Sequence, residues 1–295
     1  MTTALRPSPD PASKLLKELT RRLFRHLPKA LAGDEEEIHA MRVAARRLRV
    51  ALPLLAHKPR GKRVRRALDV LRDVTRAGGG SRDLDVSLAL FDERLREAEG
   101  ATSERKALRR SLAAARSRSR GLMAEAMLDL EIASLRRDLS AIQTKGSAPV
   151  FSVFLRLRKQ AEKAHLALVT ELDAIGERFD APGLHQVRIG CRQLRYTAEV
   201  LDTLRDQESA APSALRELQE SLGRLHDAHV LACWLAYEAE KAQARGRKTL
   251  VETAQREREF FVSRAEELHR AFLATNPKAQ LARVLKIMIP SRSAA

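Results

Sequence analysis

His39-Ala-Met-Arg42-Val-Ala-Ala-Arg46-Arg47-Leu48-Arg49 recurs as His185-Gln-Val-Arg188-Ile-Gly-Cys-Arg192-Gln193-Leu194-Arg195, every position displaced by 146. At the roughly 100° advance per residue of an α-helix, His39, Arg42, Arg46 and Arg49 fall at i, i+3, i+7 and i+10, within one narrow arc. His185, Arg188, Arg192 and Arg195 repeat the stripe. Met41, Ala45, Leu48 and Leu52 occupy the neighbouring arc, as do Val187, Cys191, Leu194, Ala198 and Leu201 in the second copy, so each helix can enter a core on one side. The same helix, apolar on one flank and basic beside it, is used twice.

Three arginines and a histidine on one face repel one another, which costs stability unless something negative lies opposite. Arginine suits phosphate oxygens because its planar fork donates paired hydrogen bonds and keeps its charge, and histidine adds a donor whose charge follows pH. The competing reading pairs these arginines with Asp and Glu of adjoining helices, the usual fate of an Arg-rich helix. Two copies at one spacing, in a chain of net charge +17, favour an anion instead.

The rest of the composition agrees. Ala, Leu, Arg and Glu abound while aromatics make up 4%, so the chain reads as all-α. Cys191 and Cys233 form no Cys-x-x-Cys pair, which predicts neither a disulfide framework nor a thiolate metal site, and a reducing, cytoplasmic setting. The N-terminus has no apolar signal core, and no stretch approaches the roughly 18 apolar residues of a membrane span. Residues 1–146 hold 32 basic and 19 acidic residues (+13), and residues 147–295 hold 23 and 19 (+4), so a polyanion should lean on the first half.

Gly, Pro and polar breaks predict helices over 12–27, 34–57, 61–77, 82–99 and 103–143, then 149–177, 184–207, 212–223, 224–243, 247–275 and 278–289. The breaks include Pro28 to Gly33, the Gly78-Gly79-Gly80 triplet with Ser81 as N-cap, and Lys145-Gly-Ser-Ala-Pro149, the expected junction between two helical bundles, 1–146 and 147–295. Arg105 to Arg120 reads as the solvated face of a long helix. A weaker repeat sets Gly79-Gly-Ser-Arg82-Asp83-Leu-Asp85-Val86 against Gly223-Arg-Leu-His226-Asp227-Ala-His229-Val230, so Asp83 and Asp227 correspond. An Asp at such a place caps a helix or holds a neighbouring arginine, a supporting role rather than that of a ligand.

Taken together, His39 to Arg49, Gly79 to Val86 and His185 to Tyr196 resemble the three signature segments of the CHAD family, the histidine α-helical domain. The resemblance implies two pseudo-symmetric four-helix bundles packed side by side around a shared basic groove. It also implies binding of inorganic polyphosphate and association with polyphosphate granules. The residues expected to bind are His39, Arg42, Arg46, Arg49, His185, Arg188, Arg192 and Arg195, supported by Arg47, Arg82, Asp83, Tyr196 and Asp227. This chain departs from the pattern in its triple glycine, in His226 at the place of Arg82, and in Gln193 at the place of Arg47. Some family members carry a triphosphate-handling catalytic domain ahead of this one. With its first motif at residue 39 and one helix before it, the chain is expected to lack that domain, so no enzymatic activity is expected.

Two other functions fit a basic helical chain. A nucleic-acid binder would also be basic, but single-strand binding uses stacked aromatics, and Trp234, Tyr196, Tyr237 and the eight Phe fall mostly at core-like positions. A histidine that ligates metal or accepts a phosphoryl group needs converging neutral donors or a nucleotide loop. The nearest groups on the same face are arginines, no Gly-x-x-x-x-Gly-Lys-Ser/Thr segment is present, and neither metal nor cofactor is expected.

Overall fold

The computed structural model describes residues 10–97, 102–144 and 150–290. They form an all-α fold of eleven helices: α1 (Pro11–Leu31), α2 (Glu35–Leu55), α3 (Lys62–Ala77), α4 (Gly79–Glu97), α5 (Ser103–Leu128), α6 (Ile132–Ala141), α7 (Val150–Ile175), α8 (Ala181–Arg205), α9 (Ala211–Gln243), α10 (Lys248–Ala274) and α11 (Pro277–Met288). No strand occurs among the described residues; a single bridge joins Ala56 to Thr144. No helix among them is long and apolar enough to cross a membrane.

Several boundaries differ from the sequence expectation, each for a local reason. Residues 212–223 and 224–243 are one helix, α9, because Gly223 is accommodated inside it and no proline follows. The span 103–143 is two helices, α5 and α6, separated by a turn at Asp129 to Glu131. Pro28 stays inside α1 and the chain turns only at Gly33, whose φ of 87° lies where glycine is favoured. The triple glycine breaks the helix for one residue: Gly78 closes α3 and α4 starts at Gly79, so Ser81 lies inside α4, fully buried, rather than capping it. The expected junction at 145–149 lies outside the described residues.

Apolar faces at helical spacing build two cores. The larger gathers Leu16, Leu23, Ile38, Met41, Leu48, Leu52 and Leu71 with Val187, Leu194, Leu201 and Leu222. The smaller joins Phe91 of α4 and Leu108 and Leu112 of α5 to Leu231, Leu235 and Phe261 of α9 and α10. Both cores draw on residues from either side of 146. In this packing α2 lies against α1, α3 and α8, while α8 lies against α7 and α9. The two helices that carry the repeated segment therefore meet near the centre of the fold.

Candidate anion-binding site

Met41, Ala45 and Leu48 on α2, and Val187, Cys191 and Leu194 on α8, are all buried, and this pins the rotation of both helices. The rotation turns the two stripes toward one another. Arg188 of α8 bears electrostatically on Arg42 and Arg46 of α2, and Arg42 and Arg46 bear on Arg192. Residues 146 positions apart in the chain thus form one cluster of positive charge.

The cluster is poor in counter-charge. Among the described residues, none of Arg42, Arg46, Arg188 and Arg192 forms an ion pair with a carboxylate, whereas Arg66 binds Asp138 at 2.7 Å, Arg105 binds Glu257 at 2.6 Å and Arg82 binds Glu35 at 3.0 Å. The Nε atoms of Arg46, Arg188 and Arg195 and the Nδ1 of His185 are buried without a hydrogen-bond partner. Burial, then the neighbouring Arg46 and Arg188, push the Arg192 guanidinium down to about 9. Burial and Arg46 push Arg42 down to about 10, and burial lowers Arg46 as well. A group that binds its proton less tightly because of surrounding cations is one that a bound anion would relieve.

Glycine makes room for these side chains. Arg42 is 7% exposed and its Nη1 donates to the Gly78 carbonyl; a Cβ at Gly78 would stand 3.0 Å from Arg42 Cδ. The two glycines that open the weaker repeat have equivalent neighbours: a Cβ at Gly79 would stand 3.8 Å from Arg42 Nη1, and one at Gly223 3.8 Å from Arg188 Nε. The glycines of the weaker repeat are thus set against the arginines of the stronger one.

Asp83 and Asp227 are the acids at the cluster. Asp83 draws Arg42, Arg46 and His185 toward their charged forms, and Arg188 does the converse for Asp227. Burial nevertheless outweighs that attraction and raises the Asp227 carboxyl to about 6. Burial also lowers His39, with Arg82, Arg46 and Arg42 adding to it, and lowers His185 next to Arg188 and Arg192.

The remaining predicted residues sit at the margins. Arg49 is lowered by burial and then by Arg72 and Arg76 of α3, and it bears in turn on Arg46 of the cluster. Arg195 lies over the buried Tyr196 ring at 4.9 Å, with Glu199 3.9 Å away. Arg47 turns to Glu199, at 2.9 Å, and Arg82 to Glu35. Two groups were not singled out from sequence. His226 stacks on His185 with ring centroids 4.7 Å apart; its position opposite Arg82 in the weaker repeat was the available signal. Arg116 and Arg120, placed on a solvated face, instead converge on Asp85 and Glu35. No group of three or more His, Cys, Asp or Glu that could hold a metal ion occurs among the described residues.

Comparison with known proteins follows the same lines. The chain is similar along 99% of its length to the crystal structure of the CHAD domain from the plant Ricinus communis, of which 96% is covered, at 22% identity and a TM-score of 0.61. It is also similar to PptA from Streptomyces chartreusis, at 18% identity and a TM-score of 0.68, over 91% of this chain and 100% of that one. At these identities the likeness is one of fold. A search of curated proteins finds no match. The CHAD domain profile matches residues 14–236, a span that runs from α1 into α9 and takes in both His/Arg helices. On that match the chain belongs to the CHAD domain family.

Proposed function

We propose that this protein binds inorganic polyphosphate, without turning it over, in the trough where α2 and α8 meet. The observation that carries the reading is the convergence of Arg42, Arg46, Arg188 and Arg192 with no carboxylate paired to any of them among the described residues. Guanidinium groups donate to phosphate oxygens in pairs, and a polymer of phosphates without bases accounts for the arginines without asking for exposed aromatics. In this reading 1–146 and 147–295 are pseudo-symmetric bundles, each lending one stripe to the trough. His39, His185, Arg49 and Arg195 extend it, while Arg47, Arg82, Asp83, Tyr196 and Asp227 orient it. The cytoplasm, at polyphosphate granules, is the setting the reading implies.

Binding of this kind proceeds by release of condensed counterions, so log affinity should fall linearly with log salt. The test is a titration with polyphosphate at several salt concentrations, competed by double-stranded DNA at matched phosphate concentration, with free phosphate measured alongside. Tighter binding of polyphosphate, a linear salt dependence and no released phosphate are expected. Preference for DNA would move the function to nucleic acid, and released phosphate would make the protein an enzyme.

A further inference from the structure

Beyond the α2/α8 trough, a second set of cations runs along α3. From Lys58 to Arg66 the chain reads Lys-Pro-Arg-Gly-Lys-Arg-Val-Arg-Arg, with six cations and no acid. Among the described residues only Arg66 of these is ion-paired, to Asp138, and Lys58, Arg60, Lys62, Arg63 and Arg65 are exposed. The loop has a defined shape: the His57 N–H donates to the Gln143 carbonyl at 2.8 Å, and the Gly61 N–H to the Lys58 carbonyl at 2.9 Å. A hollow lined by His57, Lys58, Lys62, Arg63 and Gln143 opens beside it.

The outer face of α3 connects this loop to the trough. Val64, Ala67, Leu71 and Val74 are buried, which turns Arg65, Arg72 and Arg76 outward within one narrow arc. Arg72 and Arg76 are also the charges that bear on Arg49, at the end of the α2 stripe. Their pairs with Asp69 and Asp73, each 2.9 Å, are exposed contacts within one turn of helix, weak enough to exchange for a stronger anion.

We propose that the 58–66 loop and the outer face of α3 form a second anion-binding stretch continuous with the α2/α8 trough. A long polyphosphate chain, having filled the trough, runs on over it for about 24 Å, the length of a 16-residue helix. The inference rests on the reading of the trough as a polyphosphate site and adds selection by chain length. A short chain fills the trough alone, whereas a long one gains the second stretch at high effective concentration.

The experiment compares tripolyphosphate with chains of ~100 phosphates on the full-length protein. One variant carries Lys58→Gln, Arg60→Gln, Lys62→Gln, Arg63→Gln and Arg65→Gln. A second loses the same charge at the far end of α9 and α10, through Arg245→Gln, Arg247→Gln, Lys248→Gln, Arg256→Gln and Arg258→Gln. All ten side chains are exposed, so both variants should fold. The loop variant should lose about tenfold in affinity for the long chain, with a shallower salt slope, and nothing for tripolyphosphate. The second variant should bind both as wild type does. Equal long-chain binding by the loop variant and wild type, or equal losses in the two variants, overturns the proposal alone. Wild type binding neither polymer overturns the trough reading and the proposal together.

Discussion

His185 on α8 and His226 on α9 stack with ring centroids 4.7 Å apart and planes inclined by 37°, and Arg188 and Arg192 bear on both rings. Burial and then Arg188 push His226 down to about 4, and the same two causes lower His185. Asp83, which faces His185, opposes this only in part. At neutral pH the pair is therefore uncharged. A polyanion against the neighbouring arginines raises both affinities for protons, so binding should take up protons and strengthen as pH falls from about 7 to about 5. Calorimetric titration at pH ~6 in two buffers of different ionisation enthalpy should give different heats. Identical heats would remove the histidines from the site.

The same groups set a sign for the free protein. His226, lowered from 6.5, disfavours folding as pH falls from about 6.5 through 4, because the unfolded chain binds that proton first. Asp227, raised from 3.8 to about 6, acts oppositely: its charged form is unfavourable in the folded protein above pH 6, and that penalty is relieved as pH falls toward 3.8. The two contributions oppose each other between about pH 6 and 4. Replacing Asp227 with Asn should therefore leave the acid-side loss from His226 uncompensated, visible as a steeper fall in melting temperature over that range. An unchanged profile would mean that Asp227 titrates normally.

Removing a stripe arginine should separate binding from stability. Arg46→Gln or Arg192→Gln relieves repulsion that no ion pair among the described residues offsets, so the unligated protein should hold its stability or gain on the order of 0.5 kcal/mol. Loss of a charge-assisted hydrogen bond should weaken polyphosphate binding by about 2 kcal/mol, or roughly thirtyfold. Urea unfolding and titration on the same preparations check this. Destabilisation by more than about 1 kcal/mol would assign these arginines a structural role.

The two glycines that face the paired arginines should respond differently to alanine. At Gly78 the new Cβ meets the Arg42 stem at 3.0 and 3.2 Å, so Gly78→Ala should displace that side chain and weaken binding. At Gly223 the nearest atom, Arg188 Nε, is 3.8 Å away, an ordinary contact within a 33-residue helix. Gly223→Ala should stabilise the protein by about 0.5–1 kcal/mol, the interior cost of glycine, with binding kept. Melting curves of the two variants should move apart; a common shift would show that Arg42 is not held by contact with Gly78.

Glu257, 1% exposed on α10, receives Arg94 of α4 at 3.1 Å and Arg105 of α5 at 2.6 Å, tying the smaller core together. Breaking a buried ion pair from one side strands the other charge, so Glu257→Ala should cost about 3 kcal/mol in urea unfolding. A cost below about 1 kcal/mol would mean that solvent reaches these arginines in the variant.

What the sequence determined by itself was local. Helical periodicity turns the spacing of His39, Arg42, Arg46 and Arg49 into a face and the spacing of Met41, Ala45 and Leu48 into a core contact, because both follow from 3.6 residues per turn. That is why the all-α class, the two basic helices and the family could be read from one dimension. Tertiary structure alone decided which charges meet. Arg42, Arg46, Arg188 and Arg192 converge because α2 packs on α8. Arg47, adjacent to Arg46 in the chain, is neutralised by Glu199, and Arg116 and Arg120 are absorbed by Asp85 and Glu35. Whether an arginine is a free cation or half of an ion pair depends on a few ångströms between helices far apart in sequence, a distance that periodicity does not carry.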